Sequence, residues 1–310
     1  MQGKTVVVTG GAGFIGSHLV DGLLARGYTV RVIDNLATGR RENIAHVLDK
    51  IEFVEDSILN DDALKRVFTG ADYVFHEAAI PSVPKSVKNP LASHEANSTG
   101  TLKVLLAARD VGVKRVVYAT SSSVYGDTKI FPTPETVPPN PLSPYALQKF
   151  TGEKYTTLFY KLYGLETVVL RYFNVFGPRQ DPNSEYAAVI PKFIRLLKNG
   201  QTPTIFGDGS TSRDFTFVTD VVDANIRAAD TRAAAGEVFN CAGGKPTSLN
   251  QLVEVLQKLL GTNVKPLYQD FRVGDIKDSY ADASKAERIL GFKTNVPFEE
   301  GLKRTIPTIS

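Results

Sequence analysis

Short runs rich in β-branched residues alternate along the first half of the chain with longer segments whose apolar residues recur every three or four positions. Runs of the first kind are typical of buried strands, and segments of the second kind are typical of helices. The first strand is predicted in "TVVVTGG", and the first helix in the segment with Phe14, Ile15, Leu19 and Val20. Later strands are predicted in "YTVRVID", "IEFVED", "DYVFHEAAI", "VKRVVYATSSSVYG" and "LETVVLRYFNVFG". The alternation predicts an α/β fold, in which a doubly wound parallel sheet carries helices on both faces.

The pattern changes near residue 175, where turn-rich segments such as "GPRQDPNSEY" and "GDGSTSRDF" separate shorter helices. We therefore predict a Rossmann domain over residues 1–174 and a second, smaller lobe over residues 175–310. A strand, a helix and a strand are predicted in "FTFVTDVVDANIRAA" and "GEVFNCAG". We expect this part, at about residues 215–242, to rejoin the first domain. Ligands of such sheets bind at the carboxyl ends of the strands, so the chemistry is expected there.

Composition and charge limit the partners that the chain can have. Its 310 residues are 42% apolar, enough for a large core, and its net charge is only +3. Basic and acidic residues are interspersed, so we expect neither nucleic acid nor an anionic membrane as a partner. No run of eighteen apolar residues occurs, and the N-terminus lacks the pattern of a secretory signal, which predicts a cytoplasmic protein.

Cysteine and histidine usage bears on disulfides and metals. A single cysteine, Cys241, excludes an internal disulfide framework and is typical of a reducing compartment. We interpret Cys241 as a small buried residue. The spacing of the histidines is unlike that of metal ligands, so we expect core or surface histidines and no metal site. They are His18, His46, His76 and His94.

Four glycines follow the first predicted strand within seven positions: Gly10, Gly11, Gly13 and Gly16. Alone they would also suit an ordinary strand-to-helix turn, but glycine at a helix N-terminus lets backbone N–H groups approach an anion such as a pyrophosphate. About two dozen residues after Gly10, Asp34 ends the second predicted strand, where a dinucleotide fold places a carboxylate on the adenosine ribose. That carboxylate would repel a 2′-phosphate, which favours NAD over NADP, although two arginines follow closely. They are Arg40 and Arg41.

The stretch "SPYALQKF" places Tyr145 and Lys149 four residues apart at the start of a predicted helix, and hence on one face. A positive charge beside a phenol favours the phenolate, so Lys149 and an oxidised nicotinamide would bring the pKa of Tyr145 toward working pH. Alone, this spacing favours a solvated helix pair. After a dinucleotide fold it predicts a general base. The three serines that end "RVVYATSSS" are well placed to bond a substrate oxygen.

Several motifs together resemble a known family: "TGGAGFIGSHL", "DN", "SSSVYG", "SPYALQK" and "RYFNVFGPRQ". Over essentially the whole chain the sequence is similar to the extended short-chain dehydrogenases, and within them to the UDP-hexose 4-epimerases. The resemblance implies the catalytic set Ser121, Tyr145 and Lys149. It also implies a homodimer and a UDP-sugar substrate.

The same resemblance implies the ligand-binding residues. For NAD, besides Tyr145 and Lys149, they are Gly10, Gly13, Phe14, Ile15 and Gly16 at the pyrophosphate, Asp34, Asn35 and Thr38 at the adenosine ribose, Asp56 and Ser57 near adenine, and Ala78, Ala79 and Asn97 along the path. For the nucleotide sugar, besides Ser121 and Tyr145, they are Ser122, Asn174, Phe206, Arg213, Arg272, Asp275 and Ser279. Many relatives have glutamine where this chain has Thr211, which leaves the nucleotide contacts there open.

Other functions are weighed against this one. The related 4,6-dehydratases carry an Asp-Glu pair after the catalytic serine or threonine, where this chain has Ser122 and Ser123. A dehydratase is thus disfavoured, and together with UDP-glucuronate decarboxylase it forms the nearest alternative. The remote alternative is a non-catalytic dinucleotide-sensing module, which would have no use for the catalytic set.

Overall fold

The computed structural model describes residues 3–182, 188–271 and 276–309, and within these residues it has fourteen strands, eleven α-helices and several shorter helical turns. The strands are β1 (Thr5–Thr9), β2 (Thr29–Ile33), β3 (Ile51–Val54), β4 (Tyr73–His76), β5 (Arg115–Ser121), β6 (Glu166–Tyr172), β7 (Val175–Phe176), β8 (Thr204–Phe206), β9 (Ser212–Asp214), β10 (Thr216–Phe217), β11 (Val238–Cys241), β12 (Pro246–Ser248), β13 (Leu267–Gln269) and β14 (Asp278–Ser279). The helices are α1 (Phe14–Ala25), α2 (Asp61–Phe68), α3 (Val83–Lys88), α4 (Pro90–His94), α5 (Gly100–Asp110), α6 (Pro144–Tyr163), α7 (Val189–Lys198), α8 (Val218–Asp230), α9 (Leu249–Leu260), α10 (Ser284–Leu290) and α11 (Phe298–Thr305).

Seven strands form one parallel sheet in the order β11-β6-β5-β4-β1-β2-β3. The order reverses direction at β1, as it does in a doubly wound sheet, so the predicted fold class is confirmed. The central strands are buried on both sides, which explains their nearly continuous β-branched runs. Their carboxyl ends meet at one edge, where the predicted site residues follow β1, β2, β3, β4, β5 and β6.

Two apolar cores cover the two faces of this sheet. On one face α1 and α8 pack over the sheet around Val8, Leu19 and Val221. On the other face α2, α5 and α6 pack around Val74 and Val104. The helices α4 and α5 are joined through one π-helical turn, Glu95–Thr99, so that all three form a continuous rod.

The rest of the chain forms three small sheets, β10-β7, β12-β9-β14 and β13-β8, and a third core among α7, α9 and α11. After β10, α8 packs on α1 and β11 joins the large sheet beside β6. In the described residues, no helix combines the length and the apolar character that crossing a membrane would need.

A buried ion pair attaches α6 to the large sheet. Arg171 on β6 donates from Nε to Glu153 Oε2 on α6 at 3.0 Å, and the two side chains are only 4% and 2% exposed. Arg171 also donates to the hydroxyl of Tyr125 at 2.7 Å. The Tyr125 hydroxyl in turn donates to Asn240 Oδ1 at 2.7 Å. The position of α6 is therefore coupled to β6 and β11 through one polar network.

We expect Arg171→Met to destabilise the protein by about 3–5 kcal/mol, because it leaves the Glu153 carboxylate buried without its partner. The matched control is Lys129→Met, which removes the exposed pair of Lys129 with Asp127 and should cost less than about 1 kcal/mol. Chemical denaturation of both variants at neutral pH measures the two losses. Equal small losses would contradict the anchoring role of the buried pair.

Candidate active site

The carboxyl end of β5 and the start of α6 bring Ser121 and Tyr145 together. Both side chains line one cavity of about 230 Å³. Ser122 lies in the same wall, in the short helical turn Ser122–Tyr125 that follows β5. Asn174, Arg213 and Ser279, from the second half of the chain, line the same cavity.

The backbone around Tyr145 is fixed by two serine hydroxyls. Pro144 occupies the first position of α6, where its missing N–H costs nothing. Ser143 accepts a hydrogen bond from the Ala146 N–H at 3.2 Å, which caps the helix. The Tyr145 N–H donates to Ser86 Oγ at 3.0 Å, so α3 supplies a second cap. The backbone that carries the phenol is thus held by the N-cap of α6 and by α3.

Burial is the largest influence on the pKa values of Tyr145 and Lys149. It raises the pKa of Tyr145 to about 12, although the hydrogen bond with Ser121 lowers it. It lowers the pKa of Lys149 to about 8, against the charge of Glu77, which raises it. The Lys149 ammonium donates to the Ala119 carbonyl at 2.9 Å. In the protein alone Lys149 therefore does not bring the phenol to working pH, and a further positive charge is needed.

The turn between β1 and α1 has the form of an anion cradle. Gly10 has φ = 71°, and a Cβ there would lie 2.7 Å from the Ala78 backbone N. A Cβ at Gly16 would overlap the Gly10 carbonyl oxygen. Gly13 is the N-cap of α1 and offers no capping side chain, so the first N–H groups of α1, from Phe14 on, are available to an anion. Glycine is required at Gly10 and Gly16, and the cradle fits the pyrophosphate of a dinucleotide.

Asp34 closes this cradle from the end of β2. Its carboxylate accepts from the Ala12 N–H at 2.9 Å and from the Leu36 N–H at 2.8 Å, and burial raises its pKa. Each oxygen keeps a second lone pair that can accept from a ribose hydroxyl. The neighbours with predicted ribose contacts, Asn35 and Thr38, are exposed.

The predicted adenine residues follow β3, and the predicted path residues follow β4. Asp56 accepts from the Ser57 N–H at 2.7 Å. Asn97 is buried in the π-helical turn, where it accepts from the Ile80 N–H at 2.8 Å and donates to Gln148 at 3.1 Å. Asn97 therefore fixes the loop that carries Ala78 and Ala79 and connects it to α6. Ile15 packs into the apolar cores on both sides of the glycine turn.

A second cavity of about 330 Å³ adjoins the first, and Asn174 and Arg213 line both. Its walls include Phe176, Phe206 and Thr211. The guanidinium of Arg213 donates to the carbonyl oxygens of Ser212 and Ile276 at 2.8 Å, which holds it at the junction. The site is thus a cleft with a polar, reactive end, an aromatic end and a cation between them. Two predicted substrate residues, Arg272 and Asp275, lie outside the described residues.

Sequence reasoning missed several residues of the first cavity. Pro81 and Val83 follow β4, and their place after a strand at the carboxyl edge is the signal that could have found them. Phe131 and Thr133 come from a loop without such a signal. Glu77, also after β4, acts electrostatically on Lys149 and was overlooked as well. In the described residues no cluster of three or more His, Cys, Asp or Glu side chains is arranged to hold a metal ion.

A phenol and a serine in one cavity, with a lysine one helical turn away and a dinucleotide cradle on the same sheet edge, can take a proton from a substrate alcohol while a nicotinamide accepts hydride. Fold and site together define a dinucleotide-dependent enzyme of the short-chain dehydrogenase type. The sequence pattern of the "NAD dependent epimerase/dehydratase family" matches residues 6–242. The chain belongs to this family.

Relatives of known name match over nearly the whole chain. It is 42% identical to the UDP-glucose 4-epimerase of Mycolicibacterium smegmatis over 305 residues, 97% of this chain and 96% of that protein. The structure of Thermotoga maritima UDP-glucose 4-epimerase with UDP-glucose superposes with a TM-score of 0.93 at 42% identity, covering 98% of each chain. The UDP-N-acetylglucosamine 4-epimerase of Methanobrevibacter ruminantium, in complex with UDP-N-acetylmuramic acid, has a TM-score of 0.95 at 43% identity, covering 99% and 98% of the chains.

Proposed function

We propose that this protein is an NAD-dependent 4-epimerase of UDP-hexoses. The observation that carries the proposal is the two-part cleft, in which the cavity with Ser121 and Tyr145 meets the aromatic cavity at Asn174 and Arg213. A hexose in the first cavity and a uracil beside Phe206 would place the diphosphate at the junction, where a guanidinium suits its oxygens. Relatives named as UDP-glucose and UDP-N-acetylglucosamine 4-epimerases support this substrate class.

The protein groups would position the sugar and move one proton. Tyr145 takes the proton of the 4-hydroxyl, Ser121 holds the 4-oxygen, and Lys149 supplies positive charge beside the base. The glycine cradle and Asp34 would hold NAD, which when bound supplies hydride acceptance at C4 and the positive charge that the raised pKa of Tyr145 calls for. The 4-ketosugar turns about its diphosphate link between the two halves of the cycle, so the 4-hydroxyl is restored with either configuration.

The rival 4,6-dehydratase is disfavoured by the residues after Ser121. Elimination of water needs an acid beside the sugar, and this chain has Ser122 and Ser123 there, both in the cavity wall.

For the same chain we propose the division predicted from the sequence, a Rossmann domain over residues 1–174 rejoined at about 215–242 and a nucleotide-sugar lobe over 175–310. The place of β11 in the large sheet supports the return.

We further propose a homodimer formed through α6. Along this helix Leu147, Leu158 and Leu162 are exposed at helical spacing, and Leu91 of α4, which packs against α6, is exposed beside them. We call these four residues the leucine stripe. Exposed apolar stripes of this kind mark protein interfaces, and a second copy would cover each stripe symmetrically.

Ser279 is proposed to decide which hexoses enter. It lies on β14 beside Arg213 of β9 and lines the sugar cavity. The adjacent Tyr280 stacks on Phe131 with ring centroids 5.1 Å apart, so its ring packs against Phe131. A serine here leaves volume for a 2-acetamido group, and we expect the protein to accept both plain and N-acetylated UDP-hexoses.

The first test is the activity itself. We expect NAD to copurify, and the purified protein to interconvert UDP-glucose and UDP-galactose in a panel of UDP-sugars separated by anion exchange.

Tyr145→Phe should lower kcat by about 10²- to 10⁴-fold, because the general base is lost. UDP-sugar and NAD affinity should stay nearly unchanged, since one oxygen is removed. Absence of both bound NAD and NAD binding at micromolar concentration, or full activity of the variant, would refute the mechanism.

The second test addresses specificity. Ser279→Tyr should lower kcat/KM for UDP-GlcNAc and UDP-GalNAc selectively and spare UDP-glucose and UDP-galactose, because only the acetamido group needs the volume. kcat/KM is measured for all four sugars on wild type and variant. Equal losses on all four, or a wild type inactive on the N-acetylated pair, would overturn the assignment of Ser279.

The third test addresses assembly. Replacing Leu158 and Leu162 together by Asp should shift sedimentation equilibrium from dimer to monomer, because two charges would be buried in the interface. Leu267→Asp is the matched control, since Leu267 is equally apolar and half exposed but lies on β13, away from the stripe. A dimer that survives the double variant, or a monomeric wild type, would exclude the leucine stripe as the interface.

A further inference from the structure

Glu77 lies at the carboxyl edge of the large sheet, and its carboxyl group has no role in the proposed proton transfer. It directly follows β4, and its N–H donates to the Thr9 carbonyl of β1 at 3.2 Å. Its Oε1 accepts from the hydroxyl of Tyr172 on β6 at 2.6 Å. That hydroxyl accepts from Asn225 Nδ2 of α8, also at 2.6 Å. Three elements thus hold one acidic side chain in a defined place.

The strand register brings Glu77 to the level of the catalytic lysine. β4 and β5 pair His76 with Tyr118, so the next pair along the two strands sets Glu77 beside Ala119. The Ala119 carbonyl is the acceptor of the Lys149 ammonium at 2.9 Å. The Glu77 carboxylate reaches across β5 to Tyr172 on the α8 face, and the Lys149 ammonium reaches the Ala119 carbonyl from α6 on the other face. Each charge acts electrostatically on the other.

We propose that Glu77 is a positioning residue of the reaction, whose carboxylate keeps the buried Lys149 ammonium charged so that it can act on Tyr145. This inference rests on the proposed function. Only the charged form of Lys149 favours the Tyr145 phenolate, and burial works against that form. A fixed negative charge at the same level of the sheet opposes this effect of burial.

The protonation ranges of the two groups fit this role. Burial lowers the pKa of Lys149 to about 8, and burial raises the pKa of Glu77 to about 7, although Tyr172 and Lys149 lower it. The negative form of Glu77 favours the charged form of Lys149, and the positive form of Lys149 favours the charged form of Glu77. Each group therefore opposes the effect of burial on the other.

The other titratable side chains that feel the charge of this pair are kept neutral by burial. Cys241 of β11 and Tyr172 both feel the charge of Glu77, and burial raises the pKa of each far above its ordinary value, so both are neutral. His76 feels the charge of Lys149, and burial lowers its pKa to about 3, so it is neutral too. Asp220 and Asp223 of α8 act on the Cys241 thiol. Lys149 supplies the positive charge that faces Glu77.

The test uses Glu77→Gln, which keeps an oxygen for the Tyr172 hydroxyl and removes the charge. In NAD-loaded enzyme the alkaline limb of the kcat profile should move to lower pH by about one unit, while activity below pH 6 stays near that of wild type. Above the limb, the variant should be up to about tenfold slower than wild type. Glu77→Asp, which keeps the charge, should restore most of the alkaline limb. A purely structural role would lower kcat at all pH values alike.

A second readout is independent of turnover. In NAD-loaded protein labelled with ¹³C in lysine side chains, the Lys149 Cε signal, assigned as the one absent from Lys149→Met, should titrate at lower pH in Glu77→Gln. Asp220→Asn, which neutralises another buried carboxylate, should leave the pKa of Lys149 unchanged. An unmoved Lys149 pKa in Glu77→Gln would overturn the proposal, whereas a wild type without epimerase activity would overturn the proposed function and leave this titration decisive for Glu77.

Discussion

The close packing of α6 on β5 is the contact on which the rest of the site depends. Gly152 lies so near Tyr118 that a Cβ would overlap the phenol ring, and a glycine is therefore required there. The hydroxyl of Thr120 donates to the Lys149 carbonyl at 3.3 Å, and the Lys149 ammonium returns to the Ala119 carbonyl at 2.9 Å. Because helix and strand are in direct contact, the first turn of α6 places its phenol against the end of β5. A helix standing off the sheet by an ordinary side chain would separate Tyr145 from Ser121.

The same packing sets the protonation states at the site. Burial raises the pKa of Tyr145 to about 12 and lowers that of Lys149 to about 8, and both shifts oppose the ion pair of phenolate and ammonium that proton removal calls for. Positioning alone therefore does not favour the charged pair. A bound oxidised nicotinamide would add a positive charge that favours the phenolate. In the role proposed for Glu77, its negative charge on β4 favours the ammonium. Position and reactivity are thus supplied by different groups.

Sequence reasoning was sufficient where a feature depends on neighbours along the chain. The alternation of strand and helix predicted the parallel sheet, and the spacing of Tyr145 and Lys149 placed both on α6. The contacts of Lys149 with Ala119 and of Glu77 with Tyr172 depend on the register between strands far apart in sequence, which no local pattern encodes. The effect of burial on the pKa of Tyr145 could not be predicted for the same reason. The charge of Lys149 is visible in the sequence, whereas the depth of burial that outweighs it is a property of the folded chain.

Arg213 and Ser279 line the cavity from the second half of the chain, yet hydrogen bonds attach them to the large sheet that carries the reactive groups. Asp214, next to Arg213, is buried and accepts from the N–H groups of Gly243 at 2.9 Å, Gly244 at 2.8 Å and Ala281 at 3.2 Å. One carboxylate thus ties β9 to the loop after β11 and to the residue that follows β14 by two positions. Since β11 is an edge strand of the large sheet, these bonds fix Ser279 and Arg213 relative to Tyr145. Side chains on β14 can then change the shape of the cavity without displacing the phenol, which would separate the choice of sugar from the proton transfer in the proposed function.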